Sequence, residues 1–308
     1  AFGSQQVTLV DTDLTISGEW QFANSRELIQ QSDATVEITA SGILRFDNVG
    51  GWRGVDPGAR ALPVTATNRG RIENVTNRAV RIFDVQIDNQ GTIAVDGGRI
   101  EVRAAFDLNV DPVTGVLSQG TYDLAGSLQI QDYDTNPISR NDATIILRNG
   151  LAEIRSLSTG SAGLGTLVEI GPTGTLQLEG GANLAGLTSP LLGEGLVIVS
   201  DGTIRGDFTN AGTLQLDPGP GLNVTGAFAQ TAAGTLVTTA LSDATRDDYG
   251  SLDATTASLA GTFQLDFDPA FDATLGAEFV VIQYGAVSGA FTDEILPSAG
   301  ELEWVTET

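Results

Sequence analysis

The sequence predicts an all-β protein whose main body is a parallel β-helix, a solenoid of short strands. Three observations carry this. A Gly-Thr-apolar phrase recurs eight times, from Gly91-Thr92-Ile93 to Gly261-Thr262-Phe263. The segments between such turns alternate apolar and polar residues, the pattern of a strand with one wet face. A second turn phrase, Asn-x-Gly, stands at Asn68, Asn89 and Asn210. A turn plus a short strand repeating every ~20–30 residues is how stacked coils are recognised.

The strands follow from the alternation. Over 81–88 it puts Phe83, Val85 and Ile87 on one side, with Asp84, Gln86 and Asp88 on the other. Ile93 and Val95, Ile100 and Val102, Leu176 and Leu178, and Leu214 and Leu216 alternate in the same way, as do Phe263, Leu265 and Phe267. A β-sandwich array is the alternative architecture, with hairpins joining neighbours. Hairpin signals are few, chiefly Asp96-Gly97 and Gly180-Gly181. The near-identical phrases Gly174-Thr175-Leu176-Gln177-Leu178 and Gly212-Thr213-Leu214-Gln215-Leu216 favour stacked, equivalent positions. One short helix is expected over 24–31, capped by Asn24 or Ser25. Ser189-Pro190-Leu191-Leu192 reads as a turn or a 3₁₀ piece.

Composition changes along the chain. Nine of the 15 Arg lie between Arg45 and Arg103, and 247–308 contains no base. The polar run Leu241–Gly250 reads as a boundary loop. The expected organisation is an N-terminal strand or cap region over 1–40, a solenoid over 41–240 and a C-terminal β cap module over 241–308.

Composition also excludes functions. The 308 residues carry 15 Lys plus Arg, all Arg, against 39 Asp plus Glu, a net charge of −24. There is no His, Cys, Lys or Met. Thiolate and imidazole metal sites, Cys nucleophiles and Ser-His-Asp triads are therefore excluded, as is Schiff-base chemistry. The charge argues against nucleic acid and against docking to anionic lipid. No apolar run is long enough to span a membrane, so no membrane insertion by this chain is expected. The absence of Cys suits an oxidising exterior.

Residues 208–292 resemble the C-terminal part of bacterial autotransporter passengers and related large repetitive surface proteins. The matching text runs from Phe208-Thr209-Asn210-Ala211-Gly212 through Asn223-Val224-Thr225-Gly226 and Asp248-Tyr249. It continues with Ala257-Ser258-Leu259-Ala260-Gly261, Gly276-Ala277-Glu278-Phe279 and Ser288-Gly289-Ala290-Phe291. The resemblance implies a secreted, right-handed β-helix displayed on or shed from a bacterial surface. It implies no catalytic residues. Such passengers are followed by a membrane β-barrel that the 308 residues do not include, so a cleaved or omitted barrel, or another export route, is expected.

Candidate chemistry is sparse. Asp132-Tyr133-Asp134-Thr135-Asn136 opens like a calcium loop, but Pro137 and Ala143 stand where Gly and the bidentate Glu belong, so it reads as a polar turn. Asp243, Asp247, Asp248 and Asp253 crowd one loop, with Asp266, Asp268 and Asp272 beyond, and these hard oxygen ligands are the calcium candidates. No cofactor is required. Arg71, Arg78, Arg81, Arg99 and Arg103 lie among Glu73, Asp84, Asp88, Asp96 and Glu101. Cross-strand ion pairing explains that mixture. A carbohydrate-active β-helix enzyme, a polysaccharide lyase or hydrolase using such carboxylates and Arg, is the alternative. Asn74-Val75-Thr76 and Asn223-Val224-Thr225 match the glycosylation triplet, which the bacterial resemblance devalues. The Gly-Thr spacing is too irregular for a flat ice-binding Thr array.

The expectation is a secreted, non-enzymatic structural or adhesive protein of the bacterial surface or extracellular matrix. Its partners would be further copies, as an oligomer or end-to-end filament, surface glycans or other matrix proteins. A fragment of a larger adhesin is a third reading.

Overall fold

A computed structural model describes residues 6–10, 12–22, 27–31, 34–47, 51–55, 64–83, 85–103, 108–131, 133, 137–160, 163–271 and 276–297. They fall into two compact units. One comprises 1–139, 143–147 and 151–164, the other 140–142, 148–150 and 165–308. Both are parallel β-helices: among the described residues the ladders with an assigned register are parallel, with two isolated antiparallel bridges, Val110–Leu117 and Ala240–Tyr249.

In the first unit the chain winds past three stacks in turn. The longest is Gln6–Leu9, Glu27–Gln31, Gly51–Val55, Ala79–Phe83, Arg99–Arg103, Ser127–Ile130 and Glu153–Ser156. The second contains Leu14–Ile16, Val36–Ile38, Val64–Asn68 and Val85–Asn89, and the third runs from Glu19–Phe22 through Arg71–Asn74 to Thr144–Leu147. Inward residues therefore stack in columns: Val80, Ile100, Leu128 and Ile154 on one face, Leu44, Ile72, Ile93, Tyr122 and Ile145 on another. All nine are at most 1% exposed. Full burial of each aliphatic member contributes about 1.5–3 kcal/mol.

The second unit repeats the plan with longer, bent strands. Thr213–Gln230 counts as one strand of 18 residues, yet it turns corners at Pro218–Gly221 and serves three faces. Its partners are Leu196–Ile204, Phe208–Asn210, Thr235–Ala240 and Leu252–Leu259. The two identical turn phrases are stacked as expected: Thr175 pairs with Leu196, and Leu196 with Thr213, so they lie two coils apart. Parallel ladders run through both expected domain boundaries, since Val36–Ile38 pairs with Val64–Asn68 and Thr235–Ala240 with Thr262–Phe267.

The turn phrases have a mechanical reason. The glycine carbonyl of each coil accepts the N–H following the next coil's glycine: Thr92 N–H to Gly70 (2.8 Å), Thr121 to Gly91 (2.8 Å), Thr213 to Gly195 (2.9 Å), Thr235 to Gly212 (2.8 Å). Glycines stacked this closely leave no room for a Cβ. The threonine that follows uses its carbonyl as well. Asn68 Nδ2 donates to Thr92 O (3.1 Å), Asn141 to Thr175 O (3.0 Å) and Asn210 to Thr235 O (3.0 Å). These three asparagines are wholly buried. At Asn68 and Asn210 the Asn-x-Gly and Gly-Thr phrases are thus two halves of one inter-coil joint, whereas Asn89 of the third phrase accepts from Asn68 Nδ2 (2.7 Å). Asn210→Leu should cost about 2 kcal/mol, the desolvation of an orphaned buried carbonyl, and urea unfolding would measure it.

Three local expectations are corrected. Residues 27–31 form a strand, because Leu28 and Gln30 are buried between Val7 and Leu9 on one side and Trp52 and Gly54 on the other. Residues 23–26 lie outside the described set. Ladder pairing and burial override the local helix propensity. Leu191–Gly193 is a strand too, paired with Glu169–Ile170 and Phe208–Asn210. The alternation over 81–88 breaks at a corner: Val80 and Ile82 are buried in one strand, Val85 and Ile87 in the next.

Candidate functional site

The most organised polar constellations grow from a strand rule. Residues two apart share a face, and the neighbouring coil lies about 4.8 Å away. Arg71-Ile72-Glu73 therefore puts a guanidinium beside a carboxylate, and Arg99-Ile100-Glu101-Val102-Arg103 puts one on each side of Glu101.

Glu73 is 4% exposed and accepts from Arg71 Nε at 2.6 Å and from Arg45 of the preceding coil. Arg45 also reaches Glu19 (2.7 Å). Arg71 extends to Asp96 (3.8 Å) and to Asp123 (3.9 Å). Ala94 stands in register between Glu73 and Asp123 and is fully buried, its small side chain leaving a passage for that reach. Glu101 is 2% exposed and holds three guanidiniums: Arg99 (2.6 Å), Arg103 (2.9 Å) and Arg81 of the preceding coil (3.3 Å). Burial pushes both carboxyls up. Hydrogen bonds and charge from Arg71 and Arg45 reverse this at Glu73, and those from Arg99 and Arg103 at Glu101, so both end below the ordinary value. They are fixed anions and poor proton donors.

The sign of the pH dependence follows. A depressed carboxyl pKa stabilises the fold above the unfolded value, 4.5, and that contribution is lost as pH falls through the folded value. The melting temperature should therefore drop below about pH 4.5, against the relief of net negative charge. The Glu101→Gln variant should show a shallower acid limb; an unchanged limb would contradict the role of Glu101.

Of the other predicted members, Asp88 accepts from the side-chain amides of Asn109 (2.8 Å), Gln119 (2.6 Å) and Gln90 (2.6 Å). Asp84 lies outside the described residues, as do Asp132, Asp134 and Asp272. Sequence reasoning missed Arg45 and the depth of burial of the two glutamates. The Arg-x-Glu spacing was the available signal, but Arg45 joins only through the register between coils.

The acidic candidates are spread out. Asp248 caps the 3₁₀ turn Arg246–Asp248, accepting from Thr245 N (2.9 Å) and Oγ1 (3.0 Å). Hydrogen bonds from Ser242 and Thr245 hold its carboxyl low. Asp253 pairs with Arg246. Asp266 accepts from Gln264 (2.9 Å), and Asp268 from Ala270 N (2.8 Å). Asp243 and Asp247 are exposed on the loop. Among the described residues no three carboxylates converge as a metal set. Screening of the net charge of −24 should raise the melting temperature in calcium and in sodium chloride compared at matched ionic strength. A larger rise with calcium would reveal a specific site.

Searches against family models, curated proteins and solved structures gave no match for the chain.

Proposed function

We propose that this chain is a secreted, non-enzymatic structural or adhesive protein of a cell surface or extracellular matrix, able to assemble end to end. The observation that carries this reading is the use made of the most sheltered carboxyls among the described residues. Glu73 and Glu101 are ion-pair centres tying neighbouring coils, with lowered proton affinity. A glycoside-hydrolysing site needs one carboxyl raised to act as acid. No helix among the described residues is long and apolar enough to cross a membrane. End-to-end assembly is supported by strand edges. Among the described residues, Gln6–Leu9 and Ile282–Gly289 each have a ladder partner on one side only. Such edges are templates for a further strand.

The test has two arms. Incubation with uronate and neutral polysaccharides should release neither unsaturated nor reducing ends. Release abolished by substituting an Arg or Asp within 71–103 would overturn the non-enzymatic reading. Light scattering and electron microscopy at high salt should show linear multimers lost on deleting residues 1–12. A monodisperse monomer at high concentration, unchanged by that deletion, would sink the assembly.

A further inference from the structure

Acidic and basic residues are divided unequally between the two units. The first holds 11 Arg against 19 Asp plus Glu, a net charge of −8, and the second 4 Arg against 20 Asp plus Glu, a net charge of −16. With every carboxyl protonated, the first would carry 11 positive charges and the second only 4. The pairing differs as well. In the first unit the side chains of Glu73 and Glu101 are 5% and 3% exposed and together hold five guanidiniums. In the second, among the described residues, the paired acids Asp142, Glu169, Glu179 and Asp253 are 21–44% exposed. Pairs open to water contribute little, whereas neutralising one side of a buried pair leaves the other uncompensated. Glu101 faces Arg99 and Arg103 on its own strand, Arg81 on the preceding coil and the uncharged Gln129 on the next. Beyond Gln129, Arg155 pairs with Glu153. Glu73 faces Arg71 on its own strand, Arg45 on the preceding coil and Ala94 on the next. Asp96 and Asp123 lie 3.8 Å and 3.9 Å from Arg71, and Glu19 lies 2.7 Å from Arg45.

We infer that acid opens the first unit and leaves the second folded, with Glu73 and Glu101 as the trigger. Protonating the two carboxylates leaves Arg45 with Arg71, and Arg81 with Arg99 and Arg103, packed around neutral groups at coil steps of about 4.8 Å. The same protons act the other way on the second unit, where they relieve the self-repulsion of a net −16. Asp248 loses its hydrogen bonds there, but it caps a short exposed turn whose fraying leaves the ladders intact. The window follows from the sign. A carboxyl held below its unfolded value supports the fold above 4.5, and that support is lost as pH falls through the folded value. Across this window the opening constant of the first unit rises up to about tenfold per pH unit for each of the two glutamates. Opening uncovers Trp52, Ile82 and Ile100, each at most 1% exposed in the closed stack. In a protein outside the cell, acidity of the surroundings is then the signal that frees apolar strand from one unit only, whatever the chain adheres to.

Hydrogen exchange of the full chain at pH 7, 4.5 and 3, read peptide by peptide in a mass spectrometer and corrected for the intrinsic rate, tests this. Between pH 4.5 and 3 the protection over 64–103 should fall about 100-fold relative to that over 196–230, and it should return at pH 7. The double variant Arg99→Gln/Glu101→Gln removes a cation together with the anion. Its loss of protection in acid should be about tenfold smaller than the parent's, since one of the two titrating groups is gone. Glu179→Gln in the second unit should match the parent. Should the double variant fail to fold at pH 7, the regional profile of the parent decides alone. Four results would overturn the inference: equal loss in both units, earlier loss in the second, protection kept in the first at pH 3, or a parent-like acid response in a folded double variant. Polysaccharide cleavage or a monomeric state would remove the adhesive reading and leave this exchange profile unchanged, so the two fail separately.

Discussion

Gly91→Ala will destabilise the first unit by about 3 kcal/mol, whereas Gly18→Ala will be neutral or stabilising by about 0.5 kcal/mol. Both glycines belong to one column: Gly18 O accepts Ile43 N–H, and Gly91 O accepts Thr121 N–H one coil at a time further along. Their surroundings differ. A Cβ at Gly91 would be driven against the Gly70 carbonyl oxygen, 2.6 Å from the Arg69 carbonyl carbon and 2.8 Å from Gly70 N. All three atoms are backbone, so nothing can rotate away. Relief would require prising apart two coils that share the Thr92–Gly70 bond and the Asn68–Thr92 bond. At Gly18 no heavy atom lies within 4 Å of the added carbon, because no described coil lies beneath it. The alanine there only restricts the unfolded chain. Chemical denaturation of both variants decides the matter. Equal effects would show that the column tolerates side chains and that the glycines serve flexibility alone.

Glu101→Gln will cost about 2 kcal/mol, a buried-pair loss of 3–5 kcal/mol reduced because its guanidinium partners are half in water. The amide keeps the shape and some hydrogen bonding but leaves Arg81, Arg99 and Arg103 without their shared counter-charge. The exposed pair Arg69–Glu37, at 50% and 42% exposure, is the control, and Glu37→Gln should change stability by less than about 0.5 kcal/mol. Adding Arg99→Gln to Glu101→Gln should restore part of the loss, since one of three mutually repelling cations is then gone. Strict additivity of the two substitutions would refute the shared-hub account.

The fold was legible because its requirements recur. Each coil must bury alternate residues and pass a glycine under a carbonyl, so Gly70, Gly91, Gly174 and Gly212 announce themselves. Tyr249 and Phe279 meet edge to face with centroids 5.3 Å apart. What a single strand fixes was also readable: Arg99, Glu101 and Arg103 share a face by spacing alone. What depends on register between coils was not. Arg45 meets Glu73 across 28 residues, and coil lengths vary too much to count that offset along the chain. The strand at 27–31 was misread for a related reason. Glu27-Leu28-Ile29-Gln30-Gln31 is locally helix-compatible, and only stacking on Val7 and Trp52 makes it a strand. Whether the loop aspartates at 243–253 meet depends on loop geometry that spacing does not set, and among the described residues no three carboxylates come together.

The inter-coil joint also sets how either unit would bear load. Ladder bonds in a parallel stack point along the stacking direction, so tension applied that way acts on them end-on. The glycine carbonyl bonds and the buried amides of Asn68, Asn141 and Asn210 lie in the same direction. Force drawn from a terminal strand would therefore peel one coil at a time, each release lengthening the molecule by a coil's worth of slack while the coils behind stay closed. A pulling trace should be a series of small, similar steps rather than a single rupture. A tether built this way yields gradually and can rewind when the strain is removed.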